Sequence, residues 1–102
     1  MRIPYGDNGL TKIPDSVSDE AALFTGDLLS TGYWASRIGE ISKGDTVAVI
    51  GAGPAGLCTM LCARLYEPKR IIAIDCMKER LAFAEKYKMA DLTFTPDDMD
   101  LL

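Results

Sequence analysis

Apolar residues gather into two short unbroken runs in the second half of the chain, Thr46-Val47-Ala48-Val49-Ile50 and Ile71-Ile72-Ala73-Ile74. Runs this short, rich in β-branched residues and without polar alternation, predict strands of a parallel sheet whose faces are covered by helices. Between them lie Gly51-Ala52-Gly53-Pro54-Ala55-Gly56 and a mostly apolar stretch, which predict a glycine turn and then a helix to about Tyr66. That helix must stop before Pro68, because proline disfavours helical backbone at the preceding residue. Glu67-Pro68-Lys69 supplies the turn. Met77 to Tyr87 places Leu81, Ala84 and Lys88 on one face and several charges opposite, the pattern of a surface helix lying on a sheet. A short strand is expected at Leu92 to Thr95, followed by the acidic stretch Pro96 to Asp100.

The first half has weaker signals. Arg2 to Pro14 reads as a loop, with Pro4, Gly6, Asp7-Asn8-Gly9 and Pro14 as turn residues. Asp15 to Leu23 predicts a cap followed by a short helix, with Ser18 or Asp15 as N-cap, and a second helix is expected over Ser30 to Ile38. Tyr33 and Trp34 are expected to pack from that helix onto the first strand. The polar turn Lys43-Gly44-Asp45 divides the chain into residues 1–44, an approach segment, and 45–102, a βαβ unit.

The βαβ unit carries the chemistry. Each glycine of its GxGxxG turn answers a separate demand: Gly51 the tight turn, Gly53 the close approach of backbone to a pyrophosphate, Gly56 close packing of helix on strand. A helix beginning near Pro54 directs its free N–H groups, Ala55 and Gly56 among them, and its positive dipole end at an anion. Asp75 stands nineteen residues beyond Gly56 at the end of the second run, where a carboxylate accepts hydrogen bonds from an adenosine ribose. Its charge repels a 2′-phosphate, so the cofactor expected is NAD rather than NADP. An acid that only caps the following helix would look the same at Asp75. Lys78 and Arg80 are near enough in sequence to face the ribose or a phosphate, although exposed helix charges are more often simply solvated.

Composition narrows the remaining classes. At 102 residues, 48% of them apolar, the chain has room for one domain with a modest core. A net charge of −4 without basic runs argues against nucleic acid or an anionic membrane surface as partner. No apolar stretch is long enough to span a bilayer and no signal-peptide pattern opens the chain, so a cytoplasmic protein is expected. The three cysteines form no disulfide framework, which suits a reducing compartment. Cys58 and Cys62 share a helix face but sit among Leu57, Met60, Leu61 and Leu65, where packing explains them better than metal binding. Cys76 falls beside Asp75 without an evident role.

Thr25-Gly26-Asp27-Leu28-Leu29-Ser30-Thr31-Gly32-Tyr33-Trp34-Ala35 and Gly44 to Gly51 resemble the zinc-dependent medium-chain alcohol dehydrogenases, particularly the alcohol and formaldehyde dehydrogenase branches, over nearly the whole chain. The resemblance implies an α/β fold: a partial Rossmann domain, the doubly wound parallel sheet, preceded by a helical linker from a GroES-like catalytic domain. Residues 1–44 would then be the end of the catalytic domain with its linking helices, and 45–102 the first half of the NAD domain. It implies that Asp27 occupies the position of the third catalytic zinc ligand and that Thr31 matches the threonine touching the nicotinamide. The implied reaction is hydride transfer between a small-molecule alcohol or aldehyde and NAD at a zinc that polarises the alcohol. This chain has no histidine and lacks the four-cysteine structural zinc loop, so it looks truncated and is expected to be inactive alone. Taken without the family, Asp27 reads as an N-cap ahead of Leu28 to Ile38.

Two other readings stay open. One is a stand-alone nucleotide-binding or interaction module, which would need to cover its sheet edge through a partner or another copy. The other is an FAD-binding unit, since Val49-Ile50-Gly51-Ala52-Gly53-Pro54-Ala55-Gly56-Leu57 also opens many flavin domains. Against the flavin stand the forty-four preceding residues, Met60 where a small residue is usual, and the unexplained segment Asp27 to Thr31. Substrate identity is outside what these residues encode, and a homo-oligomer is compatible with them.

Overall fold

A computed structural model describes residues 1–99. Three strands, β1 (Thr46–Ile50), β2 (Arg70–Ile74) and β3 (Leu92–Phe94), form a parallel sheet in the order β1-β2-β3. Thr46 pairs with Arg70 and Ile50 with Ile74; Ile72 pairs with Leu92 and Ile74 with Phe94. The helices are α1 (Gly6–Gly9), α2 (Asp19–Phe24), α3 (Ser30–Ile38), α4 (Pro54–Ala63), α5 (Lys78–Lys86) and α6 (Pro96–Met99). A π-type turn, Thr25–Leu29, joins α2 to α3, and a 3₁₀ turn, Arg64–Tyr66, extends α4. The α/β class and the βαβ order are those expected. Asp100, the last residue of the acidic stretch, lies outside the described residues.

Sequence explains most element ends. The Ser18 hydroxyl accepts the Ala21 N–H at 3.2 Å and so caps α2. The extension of α4 ends at Glu67, which takes a left-handed conformation (φ 53°) directly before Pro68. Helix α5 ends at Lys86, so Lys88 lies beyond it rather than on its inner face, while Leu81 and Ala84 are buried as expected. The loop expected over Arg2 to Pro14 contains one turn of helix, α1.

The core lies where α4 and α5 meet the sheet: Val49, Ala52, Met60, Ala63, Ile71, Ala73, Leu81, Ala84 and Ala90. Strand β2 is buried more fully than β1, whose Ile50 is 86% exposed, because among the described residues β2 is the central strand and β1 lies at an edge.

Tyr33 and Trp34 do not pack on the first strand. Both are exposed, and α3 is turned so that Gly32 and Ser36 are the buried residues. At Gly32 the helix presses on α4: a Cβ there would come within 2.5 Å of the Cys58 carbonyl carbon and 2.7 Å of the Thr59 nitrogen. The Ser36 hydroxyl lies 2.9 Å from the Gly32 carbonyl and 3.2 Å from that of Thr59. Two small residues one turn apart permit this backbone approach, while the large aromatics stay exposed.

A polar clamp ties the far ends of the elements together. Arg64 donates through both terminal nitrogens to the Asp91 carboxylate, at 3.0 and 2.9 Å, and Asp91 also accepts the Ile71 N–H at 2.6 Å. The guanidinium of Arg64 holds the Asp91 carboxyl below the usual carboxylate range, helped by the Ile71 N–H. A depressed folded-state pKa contributes stability above the unfolded value, near 4, that is lost as pH falls through the folded value. Asp75 and Asp98 are shifted in the same direction. The melting temperature followed by circular dichroism is therefore expected to fall on acidification below about pH 4. Asp91→Ala should lose about 1–2 kcal/mol at neutral pH, scaled down because the pair is partly exposed, and Asp91→Asn should flatten the acid limb. An unchanged acid limb in Asp91→Asn would show that the clamp does not couple to folding.

Candidate dinucleotide site

The glycine turn stands at the carboxyl ends of β1 and β2, the side on which open α/β sheets bind ligands. Gly51 has φ 98°, a conformation side chains disfavour, and its N–H donates to the Ile74 carbonyl at 2.7 Å. Gly56 sits so close to the turn that a Cβ would collide with the Gly51 carbonyl oxygen and come within 2.8 Å of its carbon. Gly53 is different. Its backbone (φ −74°, ψ −175°) suits any residue, and a Cβ there would meet only the Arg80 guanidinium, at 3.6 Å. Folding does not demand glycine at position 53. Pro54 begins α4, so the free first-turn N–H groups of Ala55 and Gly56 sit at the helix's positive end.

Asp75 ties this turn to the rest of the site. It is 7% exposed, and its Oδ2 accepts the Ala52 N–H at 2.7 Å while Oδ1 accepts the Met77 N–H at 2.8 Å. The Met77 and Ala52 donors, with the nearby Arg80 charge, lower its pKa against the opposing effect of desolvation. The acid is thus an anchor for the turn and for the start of α5, yet two bonds leave part of a carboxylate's acceptor capacity free. Both readings of Asp75 are compatible with this geometry.

Arg80, rather than Lys78, is the base beside the acid: its Nη1 lies 3.7 Å from Asp75 Oδ2. Lys78 instead lines a hollow of about 230 Å³ with Glu85, Thr93, Thr95 and Asp98, where its charge helps lower the Asp98 pKa after hydrogen bonds from Thr95. The signal for Arg80 was its place two residues into α5, over the turn. Thr31 joins Ile50, Ala55, Gly56 and Thr59 around a groove of about 590 Å³ between α3, β1 and the start of α4. The structure therefore brings Thr31 and the glycine turn together.

Asp27 does not line this groove. It is exposed and extended (φ −150°, ψ 103°) at the kink ahead of Leu28, the backbone that an N-cap residue adopts, so the cap reading stays compatible with the structure. Among the described residues no three His, Cys, Asp or Glu side chains are placed to hold a metal. One carboxylate does not make a zinc site, so the residues present do not fit the metal by themselves. Cys62 is buried with its Sγ 3.7 Å from the Leu29 carbonyl, and burial raises its thiol pKa, as packing rather than ligation requires. Cys76 is exposed.

No helix of the described residues is long and apolar enough to cross a membrane. No family model matches the chain. Individual proteins do. It is 44% identical over 84 residues to an alcohol dehydrogenase of Cupriavidus necator, covering 82% of this chain and 23% of that protein. With the zinc-type alcohol dehydrogenase-like protein of Schizosaccharomyces pombe it shares 36% identity over 86 residues, 84% of this chain and 20% of the relative. The solved structure of zinc-dependent alcohol dehydrogenase 2 from Streptococcus pneumonia superposes with a TM-score of 0.85 at 36% identity, over 98% of this chain and 28% of that one. The chain thus spans between a fifth and three tenths of these relatives' lengths. Glycine turn, terminal acid and the Asp27-to-Thr31 approach all fall within one pattern, and over this segment the chain belongs to the zinc-type medium-chain alcohol dehydrogenases.

Proposed function

We propose that this chain holds NAD for hydride transfer between a small-molecule alcohol or aldehyde and the nicotinamide. The observation that carries the reading is Gly53: the fold tolerates a side chain there, whereas a pyrophosphate resting on the first turn of α4 does not. Ala55 and Gly56 donate their N–H groups to it, and Gly51 with Pro54 fixes the direction of the helix. Asp75 accepts the adenosine ribose hydroxyls with its remaining lone pairs, and Arg80 covers the turn. Thr31, across the groove from Ala55, is placed to touch the nicotinamide end. Bound NAD supplies the hydride acceptor; these residues orient it.

Asp27 is assigned as one ligand of a zinc that would need further ligands these residues do not supply. Catalysis by these residues alone is not expected, because among the described residues no three side chains are placed to hold a catalytic metal.

Calorimetric titration with NAD, NADP and FAD tests the reading, with circular dichroism and size exclusion establishing the folded state. Millimolar or tighter binding, with NAD preferred, is the expected result. A folded chain that ignores all three, or prefers FAD, overturns it.

A further inference from the structure

We propose that Ser36 and Cys62 are positioning residues for the nicotinamide end of the cofactor: their side chains bond α3 and α4 to each other in opposite directions and so hold Thr31 over the groove. The inference rests on the dinucleotide reading of the glycine turn. Thr31 and Ala35 line the groove from α3, in the approach segment, whereas Ala55, Gly56 and Thr59 line it from α4, in the βαβ unit. The groove exists only where these two parts of the chain are held together.

Two side-chain bonds do this. From α3, the Ser36 hydroxyl, in a residue 1% exposed, shares its one proton between the Gly32 carbonyl of its own helix at 2.9 Å and the Thr59 carbonyl of α4 at 3.2 Å. From α4, the Cys62 thiol donates to the Leu29 carbonyl at 3.7 Å. A thiol is the weaker donor of the two, but burial and the neighbouring Cys58 raise its pKa, so the proton stays on the sulfur at neutral pH. Between the two bonds Gly32 lies against Cys58 and Thr59 with no room for a Cβ, so sliding α3 by one residue would drive Thr31 or Tyr33 into α4. Thr31 falls between the Leu29 and Gly32 contacts and is itself exposed, so its neighbours set its place. The helix is broken at Asp27, and α3 therefore takes its direction from α4 rather than from α2.

The full chain and four variants, Ser36→Ala, Cys62→Ala, the two combined, and Cys62→Ser, would be titrated with NAD and with ADP-ribose, which carries the same adenosine and pyrophosphate without a nicotinamide. The combined variant should bind NAD roughly tenfold more weakly and ADP-ribose within about twofold of the parent, the scale of two lost hydrogen bonds. Each single alanine variant should lose roughly threefold for NAD alone. Cys62→Ser keeps a donor in place and should recover the parent's ratio of NAD to ADP-ribose affinity. Ser36→Ala removes one oxygen and adds no bulk, so it carries the test if the combined variant does not fold. A folded alanine variant that weakens both ligands equally, an unmoved ratio, or no recovery in Cys62→Ser overturns the positioning role and leaves the cofactor site standing. A folded parent that binds neither ligand sinks the underlying site reading and the positioning role with it.

Discussion

Gly56→Ala is expected to be among the most destabilising single changes in this chain, although it adds one carbon. That carbon would land on the Gly51 carbonyl oxygen, with the Gly51 carbon at 2.8 Å and a Val49 methyl at 3.7 Å. Backbone is in the way, and it is tethered: the Gly51 N–H is bonded to Ile74 and the Leu57 N–H to Gly53. Relief requires lifting α4 from β1, which pulls Met60 and Ala63, both fully buried, out of the core. Overpacking of this kind costs about 3 kcal/mol, a substantial part of the roughly 5–15 kcal/mol that holds a domain together. For a chain of this size the melting temperature should fall by on the order of 15 °C. Thermal and urea unfolding of parent and variant measure it directly. A melting temperature within a couple of degrees of the parent would mean that the turn and α4 do not touch as described.

The strands, the glycine turn and α4 were legible because local signals agreed: β-branched runs, glycines at fixed spacing, and Pro68 behind the helix. Ser18 was equally plain as a cap. The direction of α3 was not. Tyr33 and Trp34 have the bulk of core residues, and bulk suggested burial, yet Gly32 and Ser36 decide the contact because only they let two helix backbones meet. A small residue repeated one turn later was the available signal. The same holds for the base near Asp75. Lys78 and Arg80 are alike in sequence terms, and only the start of α5 at Lys78 determines which of them turns back over Gly53. Asp27 reads through the family as a ligand and locally as a cap, and its extended backbone at the kink between two helices suits the cap. A ligand role depends on groups these residues do not supply.

Gly53→Val separates binding from folding where Gly56→Ala cannot. Valine fits the extended backbone at position 53, and the guanidinium 3.6 Å from its Cβ belongs to a flexible, half-exposed side chain that can move. Loss of glycine at the helix N-cap costs about 1 kcal/mol at most, so the variant should remain folded with a modestly lower melting temperature. Its two γ-methyls, however, fill the space above the first turn of α4, where phosphate oxygens must come within hydrogen-bonding distance of the Ala55 and Gly56 N–H groups. Pushing a pyrophosphate out by the width of a methyl group forfeits those charge-assisted bonds, a loss of about 3 kcal/mol or roughly a hundredfold in affinity. Titration of NAD into the folded variant reads the effect, and an affinity equal to the parent's would place the phosphates somewhere other than this turn. A large stability loss in Gly53→Val would instead mean that glycine serves the fold there, removing the observation on which the cofactor site rests.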